Sequence, residues 1–79
     1  MTNLEKYINI FIEVFNVDRE EVMDLAYQSI PAWDSVGHMT LIAGLEDAFD
    51  IMLDTDDIID FSSFKKGKEI LGKYDVAIE

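Results

Sequence analysis

Asp34-Ser35-Val36-Gly37-His38-Met39-Thr40-Leu41-Ile42-Ala43-Gly44-Leu45-Glu46-Asp47-Ala48-Phe49-Asp50 carries the plainest helical signal in this chain. Asp34 or Ser35 is a good N-cap, because a short polar side chain accepts from the unpaired N–H groups of a first turn. At about 100° per residue, Leu41, Ile42, Leu45, Ala48 and Phe49 share one arc, which is enough for a core face. The opposite arc holds Val36, Met39, Ala43, Glu46, Asp47 and Asp50, with Ser35 at its border. A purely solvated face would be polar throughout. Adaptable apolar residues among carboxylates, with no cation, suit a surface that docks a basic partner. Contact with the preceding connection is the plainer alternative for Val36, Met39 and Ala43. Gly37 and Gly44 each cost up to about 1 kcal/mol in a helix interior, which points to close approach by another helix or a partner.

Upstream, Thr2 followed by Glu5 fits a capping box. Leu4, Ile8, Phe11 and Phe15 then recur at helical spacing, with Tyr7, Ile12 and Val14 widening the stripe, and the helix should end near Asn16 or Val17. Residues 18–34 read as a long connection. Val22, Leu25, Ala26 and Ile30 would tack it to the core, and Pro31 blocks a helix through it. Connections of this length tend to be functional or to hold a short helical turn. Downstream, Thr55 with Asp56 and Asp57 opens a short helix ending near Phe61. Ser62 or Ser63 caps a last one, with Phe64, Ile70 and Leu71 inward. No strand pattern is convincing.

The 79 residues make one domain, 1–79, and cannot hold two. With no cysteine, the core must come from apolar packing, for which 49% hydrophobic residues suffice. The formal charge is −11, from 17 acids and 6 bases. From Glu20 to Phe64 there is no Lys or Arg, and the whole net charge lies in that window. Such a surface repels nucleic acid and anionic membranes and favours basic proteins. Lys65, Lys66 and Lys68 read as a counter-charged last helix. The apolar run from Tyr7 to Phe15 is too short to span a bilayer, and no targeting segment is evident, so the expected location is cytoplasmic. Asp54, Asp56 and Asp57 do not make a calcium loop, because Ile59 stands where the sharp turn needs Gly. His38 and Trp33 read as packing residues. No acid–base or metal constellation is present, so no catalytic residue is expected.

Asp-Ser at a helix start is by itself a cap. The wider pattern resembles the acyl carrier protein family, the phosphopantetheine-attachment domain. The resemblance rests on chain length, four helices in order, and a long loop after the first. It also rests on Asp34-Ser35-Val36 opening an acidic second helix that ends in Leu45-Glu46-Asp47-Ala48-Phe49. Trp33-Asp34-Ser35-Val36-Gly37-His38 is similar to stand-alone carriers of specialised biosynthetic systems.

The resemblance implies an all-α four-helix bundle, with a long loop between helices 1 and 2 and a short third helix. Ser35 would carry 4'-phosphopantetheine, attached covalently from coenzyme A, and Asp34 would help recruit the phosphopantetheinyl transferase and its metal ion. Val36, Met39, Glu46, Asp47 and Asp50 would face partners, and Leu53 and Ile58 would line the opening for an acyl chain. The chain would then be a monomeric carrier, not an enzyme. It would shuttle thioester-linked acyl or aminoacyl groups among loading and transferring enzymes with basic docking patches. Val36 stands where the family usually has Leu, and Ala32-Trp33 where many members have Gly before the Asp. Gly37 and Thr40 replace residues often acidic in fatty-acid carriers, which points away from a fatty-acid role. The alternative from another class is an unmodified acidic adaptor that binds a basic protein through the second helix.

Overall fold

A computed structural model describes residues 2–79. Thr2 Oγ1 accepts from the Glu5 N–H at 3.1 Å and starts helix α1, Asn3–Phe15. Asn16 ends it in the left-handed region (φ 53°), which Asn tolerates better than most residues. Tyr7, Ile8, Phe11 and Phe15 are buried, while Leu4, Ile12 and Val14 pack at the edge of the core. The helices that follow are α2 (Arg19–Val22), α3 (Ser35–Phe49), α4 (Thr55–Asp60) and α5 (Phe64–Gly72). The described residues are therefore all-helical, with a single isolated bridge, Ala26 to Ser63, and no strand.

The one-turn α2 lies inside the predicted connection, where Val22 and Leu25 are buried. The rest of that connection is closed by its own backbone. The Ser29 N–H donates to the Ala26 carbonyl (2.9 Å), and the Trp33 N–H to the Ile30 carbonyl (3.1 Å), a turn whose second residue is Pro31. Gln28 adopts φ 66° and its N–H reaches the Trp33 carbonyl at 3.0 Å. A second set of bonds fastens the connection to the start of α5. Tyr27 N–H donates to the Ser62 carbonyl (2.8 Å) and Phe64 N–H to the Leu25 carbonyl (2.9 Å).

The buried residues form one cluster, centred on aromatic rings. Phe11 is edge-on to Tyr7 (4.9 Å), Phe64 (5.3 Å) and Trp33 (5.6 Å), and Phe15 stacks on Trp33 at 5.1 Å. Such pairs add about 0.5–1.5 kcal/mol each beyond their area burial. Tyr7 is wholly buried; its hydroxyl donates to the Phe64 carbonyl at 2.7 Å, and burial pushes its ionisation far above the ordinary phenol range.

The core arc of α3 is narrower than the wheel suggests. Leu41, Ile42 and Leu45 are buried and Phe49 is half-buried, but Ala48 is exposed. A methyl group in the last turn is too short to follow Phe49 back to the core.

Candidate functional site

Asp34 is the N-cap of α3, its Oδ1 accepting from the Gly37 N–H at 2.9 Å. Ser35 is therefore the first helical residue rather than the cap, and it is exposed. Its Oγ lies 3.2 Å from the Tyr27 hydroxyl, a hydrogen bond in which either oxygen can donate.

Beside Ser35 opens a cavity of about 360 Å³. Tyr27 reaches it from the connection, Ser35, His38 and Met39 from α3, and Ile58, Ile59, Phe61 and Ser62 from α4 and the segment after it. A volume in this range suits a small organic group. Met39, Ile58, Ile59 and Phe61 make the walls mainly apolar. Of the two residues expected at an acyl-chain opening, Ile58 is among those lining this cavity. Leu53 is not: it is buried in the core, and its N–H donates to Glu46 Oε2 at 2.9 Å.

That bond also alters the reading of Glu46. The carboxylate turns back to hold the segment leaving α3 and is only half-exposed. Asp47 and Asp50 are exposed, and Asp50 ends α3 in the left-handed region (φ 53°). Val36 is 76% exposed and Met39 54%, with Ile59 at 72% across the cavity mouth. Ser35 thus has an apolar rim close by and free carboxylates along the later turns of α3.

His38 joins three elements. The Trp33 indole N–H, which can only donate, meets Nδ1 at 3.0 Å. The ring proton then belongs on Nε2, which donates to the Ile58 carbonyl at 2.7 Å. With both nitrogens engaged, His38 is a structural link between the connection, α3 and α4, not a base for Ser35. Trp33 is fully buried, so both residues pack as the sequence predicts. Sequence reasoning missed Tyr27. Its signal was slight: an aromatic residue inside the long connection, eight positions before Ser35.

Among the described residues, no three His, Asp or Glu side chains come together in a way that could hold a metal ion. No described helix is long and apolar enough to cross a membrane. No protein-family model, curated protein or solved structure matches this chain.

Proposed function

We propose that this protein is a stand-alone acyl carrier, a carrier-type four-helix bundle with an added one-turn helix in its long connection. Ser35 accepts a 4'-phosphopantetheine arm from coenzyme A. The chain, one domain acting as a cytoplasmic monomer, then carries thioester-linked acyl or aminoacyl groups between partner enzymes. The observation that carries this reading is the exposed Ser35 hydroxyl at the first position of α3, on the rim of an apolar cavity.

The residues present suit the arm. An exposed hydroxyl can enter the active site of a transferase, whereas a buried one could not. When attached, the arm supplies the thiol that this cysteine-free chain lacks. Asp34 is held beside Ser35 by its cap bond, and its exposed carboxylate would be open to the transferase and its Mg²⁺. Met39, Ile58, Ile59 and Phe61 offer the apolar part of a cargo shelter from water. Val36 and Met39 supply contact area for partners, and Asp47 and Asp50 attract their basic patches. The only side-chain group meeting Ser35 Oγ among the described residues is a phenol, not a base, which favours chemistry supplied by another enzyme.

The test is intact mass after incubation with coenzyme A and a broad-specificity phosphopantetheinyl transferase. One added phosphopantetheine is expected on the wild type and none on Ser35→Ala. A folded protein that gains no mass overturns the carrier reading and leaves the acidic adaptor. A gain that persists in Ser35→Ala moves the attachment to another residue.

A further inference from the structure

We propose that Tyr27 is the positioning residue for loading Ser35: its hydroxyl selects the orientation of the serine hydroxyl before transfer and stays bonded to the same oxygen afterwards. This rests on the carrier reading above.

The placement of Tyr27 is fixed from several sides. Its backbone N–H is bonded to the Ser62 carbonyl, and its neighbours on either side are held by the Ala26–Ser63 bridge and the Gln28 N–H to Trp33 carbonyl bond. Its ring sits edge-on to His38 at 5.5 Å. That imidazole is itself pinned by Trp33 and Ile58. The phenol is therefore aimed at Ser35 by a scaffold reaching from the connection to α3, α4 and α5.

A serine at an exposed helix start has its staggered χ1 wells to choose from, and a bond to Tyr27 favours one of them. In the transfer, the Ser35 Oγ–P bond forms and a P–O bond of the coenzyme A pyrophosphate breaks. Adenosine 3',5'-bisphosphate leaves, and the serine proton passes to a base of the transferase. With the phenol donating to Oγ, that proton points away from Tyr27 toward the incoming enzyme. Once esterified, Oγ has no proton, so the bond survives only with Tyr27 as donor, a role a phenol fills. Tyr27 then ties down the root of the arm at the cavity mouth.

Tyr27→Phe keeps the ring, its contact with His38 and the backbone bonds, and removes only the hydroxyl. The expected result is a loading kcat lower by about five- to tenfold, the worth of one neutral hydrogen bond. KM for the carrier should stay within about twofold, since docking is untouched. Unchanged kcat overturns the proposal, as does a rise in KM alone, which would assign Tyr27 to the docking surface. An unmodified wild type is a different outcome: it removes the carrier reading and this inference with it. The ring carbon bearing the Tyr27 hydroxyl gives a second readout in the wild type. In the loaded protein its carbon-13 resonance should stay at the position of a phenol that donates a hydrogen bond, and a move to the position of a solvent-exposed phenol overturns the tether.

Discussion

A methyl group at position 37 has nowhere to go. A Cβ on Gly37 would run into the Ala32 carbonyl oxygen and lie 3.2 Å from the Phe15 ring. The backbone of the connection is what approaches so closely, not another helix or a partner. Gly44 differs: its nearest obstacle is the Ile10 Cγ2 methyl at 3.3 Å, on a half-buried side chain that can shift. Gly37→Ala is therefore expected to lose about 1–3 kcal/mol through overpacking, lowering Tm by about 4–8 °C for each. Gly44→Ala should be neutral or gain up to about 1 kcal/mol, because it relieves a helix penalty without a fixed clash. Thermal melts of both variants check this, and equal losses would contradict it. In sequence the two glycines look alike. What separates them is which backbone lies opposite, and that depends on how a distant part of the chain folds back.

At the scale of elements, α4 poses the sharpest question, since a helix of six residues does not stand alone. It is held by the His38 bond to the Ile58 carbonyl, by the burial of Phe61, and by Asp57. Asp57 Oδ1 accepts from Lys73 Nζ and Oδ2 from the Tyr74 hydroxyl, each at 2.5 Å, so the two residues that follow α5 clasp the first turn of α4. These bonds, first to Lys73 and then to Tyr74, hold the Asp57 carboxyl below the usual carboxylate range. A carboxyl whose folded pKa is lowered stabilises the fold above the unfolded value, about 3.9, and loses that contribution as pH falls through the folded one. The Tm gap between wild type and Asp57→Asn should thus be widest near neutrality and close below about pH 4. A gap independent of pH would mean the charge of Asp57 is not what matters. The long helices were legible because their apolar spacing is regular and their caps are local. The clasp was not, since nothing local links Asp57 to Lys73 and Tyr74, and α2 was too short to leave a period. The Glu46 bond was hidden for a similar reason: its place on an acidic face gave no sign that it would turn back to the Leu53 N–H.

For the molecule as a whole, charge is the dominant feature. The net charge of −11 lies in the central half of the chain, on the elements that frame Ser35. Such a field raises the rate at which basic partners arrive and weakens as salt screens it. Asp47 is the cleanest probe, because it is exposed and, unlike Glu46, does not hold the segment after α3. Under the carrier proposal, Asp47→Lys should slow loading at low ionic strength, mainly through association, and the difference from wild type should shrink by about 150 mM salt. A rate unaffected at low salt would remove the acidic face from docking. The helix start at Asp34 and Ser35 and the outward face of Val36 and Met39 could be read from one helix, because caps and wheels need only local sequence. The cavity and Tyr27 could not, because they exist only where α3, α4 and the connection meet.

The connection's hold on the single tryptophan has an optical consequence. Trp33 is sealed from water, stacked on Phe15, and hydrogen-bonded to an imidazole whose far side touches α4. Its fluorescence belongs to one site in the molecule, so any shift of α4 that disturbs His38 will alter the emission. The protein therefore carries a built-in, label-free reporter one hydrogen bond behind the His38 ring that lines the cavity, able to follow movement of α4 in real time.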